Sequence, residues 1–178
     1  HGKTSVSAMT SKIFLDQHPK TGYLIAGETK DFPSSSRLGS GDFFILEADE
    51  YDSAFFDKRS KFIHYRPKTL LINNLEFDHA DIFNDLSDIQ QQYSQLLRTL
   101  ASDACVIYPN SDLNIEALFK KDFFSKTRTF SFEQDVIKIS QLNNYGSKFE
   151  VFRSDESFGE VNWELIGEHN LSNALASL

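Results

Sequence analysis

His1-Gly2-Lys3-Thr4-Ser5 opens the chain, and the fold is argued from it. Gly-Lys-Thr is the closing half of the phosphate-binding loop G-x-x-x-x-G-K-[ST]. In the complete loop, backbone N–H groups and a helix N-terminus hold a polyphosphate, the Lys reaches the outer phosphates and the hydroxyl holds Mg²⁺. Gly2, Lys3, Thr4 and Ser5 are therefore candidate nucleotide contacts, with Thr4 also a candidate metal ligand. A Gly-Lys-Ser/Thr tripeptide arises by chance in roughly one chain in ten of this length. Support has to come from residues further along the chain.

Just past the tripeptide, Val6, Met9 and Ile13 recur at helical spacing. A helix is predicted from Thr4 to about Leu15, its N-terminus facing the phosphate. Four short apolar runs come next: Tyr23-Leu24-Ile25, Phe43-Phe44-Ile45-Leu46, Leu70-Leu71-Ile72 and Cys105-Val106-Ile107. Each is bounded by polar or Gly residues and is predicted as a buried parallel strand. Between the last two, Leu86, Ile89, Tyr93, Leu96 and Leu100 form one helical stripe behind Asp85 or Ser87 as a start signal. Strand–helix alternation of this kind predicts a parallel sheet with right-handed crossovers. Beyond Thr129 the period approaches two, in Val136–Ile139, Phe149–Phe152 and Val161–Leu165, with turns at Asn143-Asn144-Tyr145-Gly146 and Ser154 to Gly159. The expected fold class is α/β: a mostly parallel sheet flanked by helices over 1–135, a small appended antiparallel β-sheet over 136–167, and the start of a helix over 168–178. A phosphate loop normally comes after a buried strand, and the last residues run on in a helical pattern, so a chain truncated at both ends is expected.

Length and charge bound the function classes. At 178 residues and 40% apolar, the chain can bury one α/β core. Its formal charge of −8, without a like-charge block, argues against nucleic acid or an anionic membrane as partner. No segment reaches the apolar length of a membrane span. Cys105 is the only cysteine, which excludes a disulfide framework and reads as a strand residue rather than a reactive thiol. A reducing cytoplasm is the expected location.

Three further segments can carry chemistry. Phe43 to Asp52 is an apolar strand emptying into Glu47, Asp49, Glu50 and Asp52. Ligands of open α/β sheets bind at the carboxyl ends of strands, and hard cations take oxygen ligands. A Mg²⁺ site and a solvated acidic loop are the two readings of that cluster. Thr69 to Asp81 repeats the arrangement with His79. Imidazole can complete a divalent-metal shell, with Asp78 or Asp81 orienting it, although a lone His in an acidic loop is often merely exposed. In Gly167-Glu168-His169-Asn170-Leu171-Ser172-Asn173, the two Asn lie three apart at a helix start. They can face one ligand, such as a nucleotide base or ribose, or simply cap the helix. The basic, aromatic stretch Phe55 to Pro67 draws an anionic substrate, pairs with the acids before it, or is a helix surface with snorkelled cations.

Taken in order, these segments resemble the central ATP-binding domain of the Mur ligases, the ATP-dependent amino-acid and peptide ligases of bacterial cell-wall synthesis. The resemblance covers nearly the whole chain. Glu47 to Phe62 and Asn73 to Phe83 look like the branch of the family that recycles murein peptides; the alanine-adding branch usually has Ser at the position of Tyr51. The resemblance implies a P-loop NTPase-like domain, ATP and Mg²⁺ as cofactors, and UDP-N-acetylmuramate and the tripeptide L-alanyl-γ-D-glutamyl-meso-diaminopimelate as substrates. It also implies flanking N- and C-terminal domains in the same polypeptide, without which this segment is expected to be inactive. Carried over residue by residue, Lys3 contacts the outer phosphates, Thr4 and Glu47 hold the metal, and His79 is the second metal ligand. Lys3, Glu47 and His79 form the catalytic set, His169, Asn170 and Asn173 touch the nucleotide, and Ser35 and Arg37 lie on the substrate side. Several relatives carry a carbamylated Lys in the helix after the His motif, and the positions near Gln92 and Tyr93 have none. An alanine-adding ligase, or a P-loop phosphotransferase or switch, is the competing assignment.

Overall fold

The computed structural model describes residues 1–77, 83–120, 123–132 and 137–178. In chain order the elements are α1 (Lys3–Gln17), β1 (Gly22–Leu24), β2 (Ser36–Arg37), β3 (Phe44–Leu46), β4 (Asp52–Ala54), β5 (Asp57–Ser60), β6 (Thr69–Leu71) and α2 (Leu86–Thr99). They continue with β7 (Cys105–Pro109), α3 (Leu113–Glu116), β8 (Lys126–Phe130), β9 (Ile137–Gln141), β10 (Lys148–Arg153), β11 (Glu156–Asn162) and α4 (Glu168–Ser177). Parallel strand pairs flanked by helices and a separate antiparallel sheet give the expected α/β architecture. The described chain divides into two compact units, one of His1–Glu47 with Ser131–Leu178 and the other Ala48–Phe130.

In the first unit, β1 pairs in parallel with β3, Gly22 opposite Phe44 and Leu24 opposite Leu46. The two-residue β2, which the sequence pattern does not reveal, pairs antiparallel on the other side of β1. Because β3 lies at the edge of this sheet order, Phe43 and Phe44 are not buried as expected but 42% and 50% exposed. Phe43 packs instead edge-on to Phe14, with His18 alongside. The buried face of α1 also differs from the apolar stripe: Val6, Ser7 and Ser11 face inward and Ile13 is exposed. Small serines let a helix approach its neighbours closely, and an apolar-period search passes over them.

The antiparallel sheet has the order β11-β10-β9. Its core is Phe149 and Val151 with Leu171 and Ala174 of α4, and Met9 of α1 packs against that cluster. The last strand, expected over Val161–Leu165, runs instead from Glu156 to Asn162. The cause is the turn: Ser154 and Asp155 both have positive φ, 51° and 69°, which makes a two-residue hairpin with Arg153 opposite Glu156. Val136, read as part of the first of these strands, lies outside the described residues.

The second unit holds the parallel sheet β6-β7-β8. Ile72, Leu75, Phe83, Ile89, Leu97, Val106, Tyr108, Ile115 and Leu118 form its core. Helix α2 starts where Asp85 accepts hydrogen bonds from the backbone N–H groups of Ser87 and Asp88. Cys105 is half-buried on β7 between buried Ala104 and Val106. The stretch from Phe55 is not a helix surface but the β4–β5 hairpin followed by a short turn of 3₁₀ helix at Lys61–His64, and its Lys58 and Lys61 pair with the preceding acids Asp52 and Asp49.

Asp112 fixes the chain just after β6. One carboxylate oxygen accepts from the backbone N–H groups of Asn114 and Ile115, capping α3, and the other accepts from the N–H of Leu75 at 2.9 Å. Asp112→Ala strands all three donors, so a loss of about 1–3 kcal/mol is expected. Urea unfolding of the full-length protein measures it, and an unchanged midpoint would remove Asp112 as an anchor.

Candidate functional site

Gly2 stands at the N-cap of α1 in the left-handed conformation, φ 78°, where a glycine carries no Cβ penalty. From there the chain turns directly into the helix, and the N–H of Val6 bonds the Gly2 carbonyl at 2.9 Å. The N–H groups before it, on Lys3, Thr4 and Ser5, have no acceptor within an α-helix ladder, and the helix dipole adds positive potential at the same end. The first turn contains no acidic residue to neutralise it.

Glu47 leaves the end of β3 beside this turn. Its backbone N–H donates to the Leu24 carbonyl at 2.9 Å, extending the β1–β3 ladder by one bond. The Thr4 hydroxyl donates to Glu47 Oε1 at 2.8 Å, and the Ala26 N–H donates to Oε2 at 2.9 Å. Both carboxylate oxygens are therefore held, one from the helix and one from the loop after β1. Of the residues read from the sequence, Thr4 and Glu47 are brought into direct contact although 43 positions apart. They suit Mg²⁺: both offer oxygen to a hard cation, and neighbouring oxygens of an octahedral Mg²⁺ shell lie about 2.9 Å apart. Among the described residues no group of three or more His, Cys, Asp and Glu is arranged to hold a metal. His79, with Asp78 and Asp81, lies outside the described residues.

The α4 residues form their own arrangement. Gly167, not an asparagine, is the N-cap. Asn170 Nδ2 donates to the Ile166 carbonyl at 2.8 Å, and Asn173 Nδ2 reaches Asn170 Oδ1 at 3.5 Å. Asn173 is buried, whereas His169 is exposed and folds back over Gly167. On the loop before β2, the Ser35 carbonyl accepts from the Ile25 N–H at 2.8 Å. Arg37 donates through its guanidinium to the Pro19 carbonyl at 2.7 Å. The residues that sequence reasoning passed over are Ala26 and Gly27, which touch Glu47 and Thr4 through backbone and through closeness. Their only signal was a glycine two residues beyond an apolar run.

In the second unit, Lys58 of β5 pairs with Asp52 of β4 at 2.7 Å, and further charge contacts run along β5 and the turn after it. Asp57 takes both Arg59 Nε and an Arg59 terminal nitrogen, at 2.8 and 2.7 Å, and His64 Nε2 lies 3.0 Å away. The Arg59 side-chain hydrogen bond holds the Asp57 carboxyl well below the ordinary carboxylate range, against a smaller opposing effect of desolvation. A depressed carboxyl contributes stability above its unfolded pKa and loses it only as pH falls through the folded value. Carbonyl-carbon NMR of Asp57 is accordingly expected to show no titration from about pH 5 to about pH 3. Arg59→Ala should return it to that window. A cavity of about 400 Å³ adjoins the hairpin, lined by Glu50, Asp52, Lys58, Ser60, Asp88 and Gln92 among others.

A helix N-terminus carrying Gly-Lys-Thr and a strand-end carboxylate on the Thr hydroxyl meet in an α/β domain. The chain belongs to the Mur ligase family: the model of the Mur ligase middle domain matches residues 1–178. It is 44% identical over its whole length to the UDP-N-acetylmuramate–L-alanyl-γ-D-glutamyl-meso-2,6-diaminoheptandioate ligase of Escherichia coli strain K12, of which it spans 39%. Against the UDP-N-acetylmuramate–L-alanine ligase of Clostridium botulinum strain Loch Maree the identity is 29%, with 38% of that protein spanned. The crystal structure of UDP-N-acetylmuramate:L-alanyl-γ-D-glutamyl-meso-diaminopimelate ligase from Neisseria meningitides superposes with a TM-score of 0.86 at 39% identity, over 99% of this chain and 57% of that one. No helix among the described residues is long and apolar enough to cross a membrane.

Proposed function

We propose that this chain is the ATP-binding core of a ligase that joins the murein tripeptide L-alanyl-γ-D-glutamyl-meso-diaminopimelate to UDP-N-acetylmuramate. The observation that carries the reading is the Thr4–Glu47 contact at the start of α1, a pair of oxygen donors beside a phosphate-binding turn. The tripeptide, rather than free L-alanine, is supported by 44% identity to the tripeptide ligase against 29% to the alanine ligase.

The γ-phosphoryl group of ATP passes to the lactyl carboxylate oxygen of UDP-N-acetylmuramate, and ADP leaves. The alanyl amine of the tripeptide attacks the resulting acyl phosphate, loses a proton and expels inorganic phosphate, leaving an amide. Such transfer depends on positioning and charge neutralisation and needs no protein nucleophile. The Lys3 ammonium and the N–H groups of Lys3, Thr4 and Ser5 hold the phosphates. Thr4 and Glu47 hold Mg²⁺, with His79 as the further ligand. Magnesium, when bound, neutralises and anchors the phosphate oxygens. His169, Asn170 and Asn173 take the nucleoside end, and Ser35 and Arg37 lie toward the sugar substrate. Flanking domains supply the remaining substrate contacts, and the reaction runs in the cytoplasm, where ATP and UDP-sugars are found, as a step of cell-wall recycling.

In the full-length polypeptide, phosphate release is expected only with ATP, Mg²⁺, UDP-N-acetylmuramate and tripeptide together, with the amide product found by mass spectrometry. Release with L-alanine but not tripeptide assigns the alanine-adding reaction instead. Nucleotide-dependent capture of a protein without amide formation assigns a switch. The 178-residue chain alone is expected to ligate nothing.

A further inference from the structure

Gly27 sits where the loop after β1 comes closest to the phosphate-binding turn. A Cβ built on it would lie 2.8 Å from Thr4 Cγ2 and 3.9 Å from both Thr4 Cβ and Oγ1. A carbon pair at 2.8 Å is well inside contact distance, so one of the two groups must move. The Gly27 backbone is not among the glycines with positive φ, so alanine is conformationally admissible there and the restriction is one of space. The preceding residue, Ala26, donates its N–H to Glu47 Oε2, so the loop cannot retreat without releasing that carboxylate.

Cγ2 and Oγ1 of Thr4 share one carbon. Turning the methyl away from position 27 means a step to another staggered rotamer, about 120° in χ1, which sweeps the hydroxyl through the same angle. The bond from Thr4 Oγ1 to Glu47 Oε1 would then be lost. We propose that Gly27 is a positioning residue: by leaving the Thr4 methyl room, it holds the Thr4 hydroxyl on Glu47 in the orientation that serves the magnesium–triphosphate site. The magnesium role rests on the function proposed above, whereas the link from Gly27 to the Thr4 rotamer does not.

Two readouts in the full-length polypeptide separate these parts. The first is the Thr4 χ1 rotamer without ligand, from three-bond NMR couplings to Cγ2. It is expected to be single in the parent and shifted in Gly27→Ala. The second is the Mg²⁺ concentration giving half-maximal binding of a non-hydrolysable ATP analogue. Gly27→Ala is expected to raise it on the order of tenfold, the usual size for loss of support behind a metal ligand. Thr4→Ser keeps the hydroxyl and deletes Cγ2, so adding Gly27→Ala to that background is expected to leave its Mg²⁺ midpoint unchanged. An unaltered Thr4 rotamer in Gly27→Ala overturns the proposal, and so does an equal Mg²⁺ shift in the Thr4 and Ser backgrounds. If the parent binds the analogue without regard to Mg²⁺, the functional reading fails while the rotamer still decides the role of Gly27. General damage to the fold would lower the melting temperature equally in both backgrounds, which also counts against it.

Discussion

Glu47→Gln in the full-length polypeptide is expected to lower kcat/KM for ligation by on the order of 10²–10³-fold, the usual effect of removing one preorganised group at a site of developing charge. The substitution keeps the side chain's size and one carbonyl oxygen, so the Thr4 hydroxyl bond at Oε1 can survive. The other arm becomes an NH₂ group, which cannot accept from the Ala26 N–H and carries no charge for a cation. The Mg²⁺ requirement should therefore rise together with the loss of rate, and raising Mg²⁺ should restore part of the activity. Glu47→Asp is expected to fail almost as badly, because a shorter side chain cannot meet Thr4 and Ala26 at once. Phosphate release measured across a Mg²⁺ titration checks both variants. Near-normal rates from the glutamine variant would take Glu47 out of the metal's surroundings.

Lys3→Ala should cost a similar factor for a different reason. A cation in the first turn of a helix stands against the helix dipole, and α1 has no acidic residue there to offset it. A polyphosphate lying between ammonium and helix is attracted by both. Removing Lys3 is thus expected to abolish most turnover, roughly 10²-fold or more. Calorimetric titration with an ATP analogue tests this, with a thermal melt to check that the variant is folded. A large loss of stability with normal nucleotide binding would make Lys3 a structural residue.

The parts of this fold that the chain's pattern revealed are those where one local signal dominates. Helix α2 has both a capping aspartate and a clean apolar stripe, and the strands β6 and β7 have β-branched or leucine-rich runs on a covered sheet. The turn into α1 was visible because Gly2 supplies the positive φ that opens the helix. What stayed hidden depends on partners distant in sequence. The buried face of α1 is partly serine because another helix comes close, and β11 is polar because it is an edge. The hairpin at Asp52–Ser60 carries a cross-strand ion pair, Lys58 with Asp52, and contains no strand-forming run. The contributions of Ala26 and Gly27 are an N–H and an absence of atoms. Neither leaves a residue type that a motif could register.

Strand β11 has a further consequence for the life of the protein in a crowded cell. It borders its sheet with most of its seven residues exposed, and an open row of main-chain donors and acceptors is a template for another chain. Glu156 and Glu160 stand on that border, and between them the register shifts at Phe158, with Gly159 opposite Val151 and Ser157 opposite Phe152. Two copies meeting edge to edge would bring carboxylates together across an irregular seam, so self-association by strand addition is disfavoured while newly made molecules are still finding their folds.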